Sequence, residues 1–311
     1  MPKKIIIATR KSQLALWQAK HIQSLLHAKN PLLDIELLPM TTEGDEKLDV
    51  SLSKIGGKGL FIKSLEQAIL RKEAHIAVHS VKDIPAHLPE DFVIGAICTR
   101  EDVRDALVST HYSSLDTLPL GAKVGTSSLR RQVQLKLLRP DLQFINLRGN
   151  VLTRLKRLDE GQYDAIVLAS AGLKRLGLAD RITQYLPIEQ VLPACGQGAL
   201  GIECRKEDVF SLNLIKQLHE KEVGRCVIAE RAMNAELEGS CQVPIAAHAY
   251  YINDELFIEG RVGCLLPCRQ LSAHALGRPE DAQQLGAKVA KELIAKGARE
   301  LIRQTHDLSG E

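Results

Sequence analysis

Short apolar segments alternate with amphipathic segments over the first two-thirds of the chain, and this alternation restricts the fold more than any other feature of the sequence. Before residue 100, segments typical of strands lie at 4–8, 35–40, 76–78 and 93–98, and segments typical of helices lie at 13–28 and 61–70. The same order restarts with strands at 123–125, 144–147 and 163–169 and helices at 129–138 and 151–158. We therefore predict two α/β domains, with the charged segment 99–105 as a linker between them.

The pattern changes after about residue 220. Helices are predicted over 222–236 and 282–296, with three strands between them at 243–251, 256–262 and 270–275. This order predicts a smaller C-terminal α+β domain. The predicted fold class is therefore α/β for the two larger domains and α+β for the third.

Composition excludes several classes of protein. Lys and Arg number 41 and Asp and Glu 38, a net charge of +3 that is too small for a surface that binds nucleic acid. No apolar run approaches the roughly 18 residues of a membrane-spanning helix, and the first run ends at Ala8, too early for a secretory leader. We therefore expect a cytoplasmic protein that binds neither nucleic acid nor membrane. The seven cysteines contain no C-x-x-C motif, so neither a disulfide framework nor a metal site is predicted.

Four predicted strand-to-helix junctions combine arginine or lysine with small polar residues. They contain Thr9, Arg10 and Ser12; Ser80, Lys82 and Asp83; Thr126, Ser127, Ser128, Arg130 and Arg131; and Arg148, Gly149, Asn150 and Arg154. Helix N-termini offer free N–H groups, and arginine offers a two-pronged donor to carboxylates and phosphates. In open α/β sheets such junctions converge on one crevice, which predicts a polyanion-binding cleft between the two domains. The alternative is that the hydroxyl groups cap helices and the arginines face solvent.

Three further residues are candidates for chemistry, and each has a plainer alternative. Lys58 lies in a glycine-rich segment that does not fit a nucleotide-binding P-loop; it is either a cation offered to an anion or part of a simple turn. Asp83 either handles protons beside Lys82 or forms a salt bridge. Cys241 lies in a predicted loop, as a nucleophile or attachment point or as a small buried apolar residue. These residues alone do not define a reaction.

A series of motifs, in order over almost the full length, is similar to the motifs of one family. They are IATRKSQLALWQA (7–19), GGKGLF (56–61), AVHSVKDIP (77–85), REDVRDALVS (100–109), VGTSSLRR (124–131), LRGNVLTRL (147–155), LASAGLKRLGL (168–178), GQGALGIECR (196–205), AERAMN (229–234) and LEGSCQVPIA (237–246). The chain resembles the porphobilinogen deaminases, also called hydroxymethylbilane synthases.

The resemblance implies a domain organisation. Two domains of the periplasmic-binding-protein type are expected, with the chain crossing between them twice, the second time near residues 198–204. The predicted limits are 1–98 with 200–217 for the first domain, 99–199 for the second and 218–311 for the third. The resemblance also implies a monomer.

The resemblance implies a reaction and a cofactor. The cofactor is a dipyrromethane attached to Cys241 through a thioether. Four molecules of porphobilinogen are added to it with loss of ammonia, and water then releases the linear tetrapyrrole hydroxymethylbilane in haem biosynthesis.

The resemblance further implies roles for individual residues. The predicted catalytic residues are Asp83, Lys82 and Arg10. The predicted cofactor contacts are Cys241, Ser12, Lys82, Asp83, Thr126, Ser128, Arg130, Arg131 and Gln197. The predicted contacts to substrate carboxylates are Arg10, Arg148, Arg154, Arg175 and Lys58, and no metal is predicted.

Three residues depart from the family pattern. Ser240 and Ala246 stand where the family commonly has glycine, and Cys195 is an additional thiol. The competing hypothesis is a non-catalytic anion-binding protein of the same two-domain fold. Such a protein requires neither the thiol of Cys241 nor the acid of Asp83.

Overall fold

The computed structural model describes residues 4–42, 62–239 and 243–308. Lys58, Ser240 and Cys241 lie outside these ranges, as do the predictions made for them. The strands are β1 (Lys4–Arg10), β2 (Asp34–Met40), β3 (Ile76–Ser80), β4 (Phe92–Ile97), β5 (Asp105–Val108), β6 (Lys123–Gly125), β7 (Gln143–Ile145), β8 (Ala165–Ala169), β9 (Gln184–Leu186), β10 (Leu200–Arg205), β11 (Ile245–Ile252), β12 (Glu255–Leu265) and β13 (Cys268–Gly277). The α-helices are α1 (Gln13–Lys29), α2 (Lys63–Leu70), α3 (Leu129–Leu138), α4 (Val151–Asp159), α5 (Ser170–Arg175), α6 (Val209–Lys216), α7 (Lys221–Glu236), α8 (Ala282–Ala295) and α9 (Ala298–Leu308).

The first domain is built on a five-stranded sheet with the order β2-β1-β3-β10-β4. β1 is parallel to β2 and β3, whereas β10 is antiparallel to both of its neighbours. Successive side chains of β1 enter opposite cores: Ile7 packs in a cluster with Ile22 of α1, and Ala8 packs in a cluster with Leu65 of α2. The sheet is therefore covered by helices on both faces, and β1 and β3 end at the same edge.

The second domain repeats this plan with the strand order β7-β6-β8-β5-β9. β6 is parallel to β7 and β8, and β5 is antiparallel to β8 and β9. Val167 of β8 belongs to a core with Leu135 of α3, and its neighbour Leu168 belongs to a core with Leu155 of α4. The prediction of two α/β domains is confirmed.

Two segments that connect these domains lie side by side. The first crossing runs from the end of β4 to the start of β5, and the second crossing runs from the end of β9 to the start of β10. The N–H of Glu101 donates to the Gly198 carbonyl at 3.0 Å. Gly198 has φ +88°, and a Cβ there would lie 2.3 Å from the Glu101 carbonyl oxygen, so only glycine allows the crossings to pair this closely.

The third domain is an antiparallel sheet of β11, β12 and β13 with α7, α8 and α9 packed against it. Its core includes Met233 of α7, Ile258 of β12 and Val289 of α8. Gly286 allows α7 and α8 to pack closely, since a Cβ there would lie 2.1 Å from the Ala229 carbonyl oxygen. The prediction of a C-terminal α+β domain is confirmed.

Some elements were not predicted from the sequence. β10 carries Glu203 inside an otherwise apolar segment, and this charge obscured a strand that is buried along nearly its whole length. Helices α6 and α9 were also missed, and β12 extends beyond its predicted end to Leu265. The limits given above for each domain stay predictions. Among the described helices, none is long and apolar enough to cross a membrane.

Candidate active site

A single 3₁₀ turn, Val81–Asp83, follows β3 directly and carries two of the predicted catalytic side chains. Val81 is buried, and its N–H donates to the carbonyl of Ala199 in the second crossing at 3.0 Å. Lys82 is half-buried and Asp83 is exposed. The anchored backbone of the turn therefore holds an exposed carboxylate at a fixed place beside the crossing.

A cavity beside this turn is lined by side chains from β1, α1, α2 and β3. Its polar lining is Arg10, Ser12, Gln18, His79, Ser80 and Asp83. Ser12 Oγ accepts from the Ala15 N–H at 3.3 Å and caps α1, and Gln18 Nε2 donates to Ser80 Oγ at 2.9 Å. Asp83 forms no hydrogen bond or close ion pair with any residue that the structure describes. Its carboxylate is therefore available to a ligand.

Cations from both α/β domains interact electrostatically with Asp83. Burial lowers the pKa of Lys82 to about 8, with Asp83 opposing this shift and Arg131 adding to it. Burial also lowers the pKa of Arg154 to about 10, with Arg131 adding to the shift and Asp83 opposing it. Arg154 Nε donates to the Gly149 carbonyl at 2.7 Å. The cleft therefore concentrates positive charge around one exposed carboxylate, which favours anionic ligands.

Two of the predicted cofactor contacts, Arg130 and Arg131, are buried against Asp105. Arg131 Nε and Nη2 donate to Asp105 Oδ1 at 3.1 and 2.7 Å, and Arg131 Nη1 donates to the Val167 carbonyl at 2.8 Å. Arg130 Nη1 lies 2.8 Å from Asp105 Oδ2. Burial acts to raise the pKa of Asp105, but the two guanidinium groups outweigh it and hold that pKa well below its usual range.

This arrangement leaves little of Arg131 for a ligand, because all three of its guanidinium nitrogens already donate. Gln197, a third predicted cofactor contact, donates from Nε2 to Asp105 Oδ1 at 3.0 Å, while its buried Oε1 has no partner among the described residues. Asp105 itself was not predicted. The sequence feature that could have identified Asp105 is an acidic residue at the first position of the otherwise apolar strand DALV.

Replacing Asp105 with asparagine is expected to destabilise the folded protein by about 3–5 kcal/mol, because two buried guanidinium groups lose their counter-charge. Urea unfolding measures this difference. The matched control is Asp159→Asn, since Asp159 pairs with Arg181 at 2.6 Å but its side chain is 48% exposed. The control should cost less than about 1 kcal/mol. Equal losses for the two variants would contradict the role of Asp105.

Arg175, predicted to bind substrate, lies in the seam between the first two domains, which is where α5, α1 and the second crossing meet. Its Nη2 donates to the Gly198 carbonyl at 2.6 Å, and its guanidinium carbon lies 5.7 Å from the ring centroid of Trp17. Trp17 in turn stacks on His21 with the ring centroids 5.0 Å apart. Arg175 therefore links α5 of the second domain to α1 of the first and to the second crossing.

The remaining junction residues lie at the starts of α3 and α4. Asn150 Oδ1 accepts from the Thr153 N–H at 3.0 Å and caps α4, and Arg148 is half-buried just before it. Thr126 is buried, and its Oγ1 accepts from the Ser128 N–H at 3.2 Å. The Ser128 hydroxyl does not cap α3. The alternative that the hydroxyl groups cap helices therefore holds for Ser12 but not for Ser128.

Two family models match nearly the whole chain. Residues 5–213 match the model described as porphobilinogen deaminase, dipyromethane cofactor binding domain. Residues 224–295 match the model described as porphobilinogen deaminase, C-terminal domain. This chain belongs to the porphobilinogen deaminase family. The resemblance seen in the motifs is confirmed, and the family is one of transferases of tetrapyrrole biosynthesis.

Solved structures of other proteins are similar to this chain at low identity. The VFT2 domain of BvgS from Bordetella pertussis is 15% identical, with 69% of this chain and 86% of that chain covered and a TM-score of 0.43. A putative methionine-binding lipoprotein from Bacillus subtilis is 16% identical, with 71% and 92% covered and a TM-score of 0.46. A YaeC-family lipoprotein from Enterococcus faecalis is 17% identical, with 71% and 93% covered and a TM-score of 0.42. Similarities this distant carry no argument about function.

The residues of the cleft fit a dipyrromethane by their chemistry. A dipyrromethane brings carboxylates and pyrrole N–H groups, which require cations and hydrogen-bond acceptors respectively. Arg10, Lys82 and Arg154 are the cations that the structure brings near Asp83. Asp83 is the acceptor that lines the cavity, and Gln197, a predicted cofactor contact, has a buried Oε1 with no partner among the described residues.

Glu230 is a buried residue of this chain that was not predicted from the sequence, although it lies in the motif AERAMN. It accepts from Arg100 Nη1 and Nη2 at 2.7 and 3.0 Å, from the Gly196 N–H at 2.6 Å and from the Ala249 N–H at 2.8 Å. Burial acts to raise the pKa of Glu230, but Arg100 outweighs it and holds that pKa at about 2. One carboxylate therefore joins both crossings to β11 of the third domain.

A wider cavity of about 580 Å³ lies at the first crossing, away from Asp83, and is lined by Arg104, Tyr185 and His248 among others. Arg104 is already neutralised, since its Nη2 lies 2.8 Å from Asp102 Oδ2. Its guanidinium carbon lies 4.1 Å from the centroid of the Tyr185 ring. The smaller cavity beside Asp83 is therefore the candidate site for an anionic ligand.

Proposed function

We propose that this protein is a hydroxymethylbilane synthase. It joins four molecules of porphobilinogen head to tail on an enzyme-bound dipyrromethane, releases ammonia at each addition and finally releases hydroxymethylbilane by hydrolysis. The observation that carries the proposal is the exposed carboxylate of Asp83 between cations of two domains. A site that only binds anions gains nothing from a carboxylate at its centre, because that carboxylate repels the ligand.

Asp83 is proposed as the catalytic carboxylate. Loss of ammonia from an aminomethyl-pyrrole and attack by a pyrrole carbon both place positive charge on a pyrrole nitrogen. A fixed carboxylate stabilises such charge without having to reorganise at the moment of reaction. Lys82 precedes Asp83 in the sequence, and Arg10 lines the same cavity as Asp83. Both are proposed to bind the carboxylates of the reacting pyrrole ring.

A second set of cations is proposed to bind the lengthening product. Each pyrrole brings an acetate and a propionate, and a charge-assisted hydrogen bond to such a group contributes about 1.5–3 kcal/mol. Arg148, Arg154, Arg175 and Lys58 are proposed for this role. For Arg175 the role requires the guanidinium group to leave the Gly198 carbonyl and the Trp17 ring, which a movement of the two domains against each other allows.

The cofactor is proposed to be a dipyrromethane held through a thioether on Cys241. When bound, it supplies the pyrrole carbon on which the product grows. Cys241 lies in the sequence between α7 and β11 of the third domain, both of which Glu230 ties to the crossings. The residues proposed to contact the cofactor are Ser12, Lys82, Asp83, Thr126, Ser128, Arg130, Arg131 and Gln197. The monomeric state stays a prediction of the resemblance, and the cytoplasmic location stays a prediction of the sequence composition.

Intact mass and a turnover assay together test this proposal. The purified protein should carry a covalent excess of two pyrrole units, located on Cys241 by peptide mapping, and should convert porphobilinogen to hydroxymethylbilane. A protein of unmodified mass that binds porphobilinogen without consuming it would instead be the non-catalytic binding protein of the competing hypothesis.

Replacing Arg148 with leucine is expected to impair growth of the product at particular lengths. If cations hold the carboxylates of successive rings, loss of one cation should make partly elongated enzyme accumulate. Mass spectra recorded after limited addition of porphobilinogen measure the distribution of intermediates. Arg299→Leu, at an exposed arginine of α9, is the matched control and should leave the distribution unchanged. Uniform slowing of Arg148→Leu with an unchanged distribution speaks against the role of Arg148.

A further inference from the structure

His79 is the penultimate residue of β3, after three apolar residues, and it lines the same cavity as Ser80 and Asp83. Its Nε2 lies 2.8 Å from Glu203 Oε2 on β10. In the antiparallel register His79 is opposite Gly201, so Glu203 is its diagonal neighbour on the same face of the sheet. The sheet therefore holds an imidazole and a carboxylate together at the floor of the cavity.

The geometry gives the two ring nitrogens of His79 different tasks. Glu203 is fully buried, and where its carboxylate accepts this hydrogen bond, Nε2 of the imidazole is the donor. Nδ1 forms no hydrogen bond with a residue in the part of the chain that the structure describes. Nδ1 is therefore the nitrogen left for a ligand in the cavity.

A second buried carboxyl group, Glu66 of α2, lies close to this pair. Burial raises the pKa of Glu66 to about 7, the charge of Glu203 adds to the shift, and His79 and Lys63 oppose it. The imidazole is thus near two buried carboxyl groups, Glu203 and Glu66. It lines the cavity together with Arg10 of β1 and Asp83.

We propose that His79 is a second proton-handling residue of the cleft, with Glu203 as its positioning residue; this rests on the proposed deaminase function. Each addition forms one C–C bond, breaks the C–N bond of an aminomethyl group and breaks one C–H bond at the free α-carbon of a pyrrole. The C–N electron pair leaves with ammonia, and the C–H electron pair restores the aromatic ring. His79 Nδ1 takes the proton from carbon and gives it to the ammonia, which leaves as ammonium. The imidazole ends each addition as it began, and Asp83 serves charge stabilisation alone.

The first test measures which nitrogen of the His79 imidazole is protonated, and it requires no turnover. In the purified protein before substrate is added, ¹⁵N NMR of the imidazole, assigned by its loss in His79→Gln, should show Nε2 protonated and Nδ1 as the lone-pair nitrogen when the ring is neutral. The opposite tautomer overturns the proposal, because Nδ1 then has no lone pair to accept a proton.

The second test uses enzyme that has already added one porphobilinogen deuterated at its free α-carbon, with the cofactor and the single added ring verified by mass. In the next addition this bound terminal ring, rather than the incoming porphobilinogen, loses its α-hydrogen. His79→Gln should slow single-turnover addition at least about tenfold and raise the isotope effect above that of the wild type, because removal of the α-proton becomes limiting. The matched control is His75→Gln, just before β3, where Nδ1 accepts from the Ile6 N–H at 3.0 Å. That control should keep the wild-type isotope effect.

A third variant keeps the isotope-effect test interpretable if His79→Gln alone fails to fold. His79→Gln combined with Glu203→Gln replaces the ion pair with a neutral amide pair of similar shape, and it should show the same raised isotope effect. An isotope effect equal to that of the wild type in both variants overturns the proposal, whatever their rates. Failure of the wild type to consume porphobilinogen is a different result, which overturns the proposed function.

Discussion

Replacing Cys241 with serine is expected to abolish covalent attachment of the dipyrromethane and to reduce turnover to background. The purified variant should have the mass of the unmodified chain. It should also unfold at a lower temperature than the wild type, because a group bound only to the native state stabilises that state. Intact mass, thermal unfolding and conversion of porphobilinogen measure the three effects.

The matched control for Cys241 is another cysteine of the third domain. Cys268 is half-buried, and its Sγ makes a long contact of 3.9 Å with the Val133 carbonyl. Cys268→Ser should keep the covalent excess and most of the turnover. A Cys241→Ser enzyme with turnover near that of the wild type would require a different attachment residue.

Replacing Asp83 with asparagine is expected to lower turnover by about 10²-fold or more, the range typical of one acid–base or electrostatic group. Asparagine keeps the size and much of the hydrogen bonding of Asp83 but removes the charge between Lys82 and Arg154. If Asp83 only helped to bind substrate, KM would rise while kcat changed little. Single-turnover rates in protein verified to carry the cofactor separate the two effects.

The control for Asp83→Asn is Asp83→Glu. Glutamate keeps the carboxylate but displaces it by one methylene, so it should retain more activity than asparagine. If Asp83→Asn is as fast as the wild type in single turnover, then Asp83 is a structural charge. His79 would then be the first candidate for the remaining proton chemistry of the cleft.

Features that depend on neighbouring residues could be predicted from the sequence. The period of apolar residues predicted the two α/β domains and the change to α+β after residue 220. Ser12 and Asn150 each precede a helix and cap it, since a cap reaches only three residues along the chain. These interactions form within one turn, so they require no knowledge of which strands become neighbours.

Contacts between side chains that are far apart in the sequence could not be predicted. Asp105 lies 26 positions from Arg131, and Glu203 lies 124 positions from His79. Both pairs exist because an antiparallel strand, β5 or β10, is inserted beside parallel ones, and nothing local in DALV or LGIECR specifies that neighbour. The sequence therefore predicted a ligand contact for the two arginines of the motif SLRR but not their internal partner Asp105.

The contact between Arg175 and Trp17 has an optical consequence. Trp17 is the single tryptophan of the sequence, so the indole emission of the whole protein comes from the seam between the first two domains. A guanidinium group above the ring and an imidazole stacked on it set the surroundings of that one fluorophore. If the domains rotate as the product lengthens, Arg175 leaves the ring and the emission changes with each ring added. Stopped-flow fluorescence of the unlabelled enzyme then records its opening in real time.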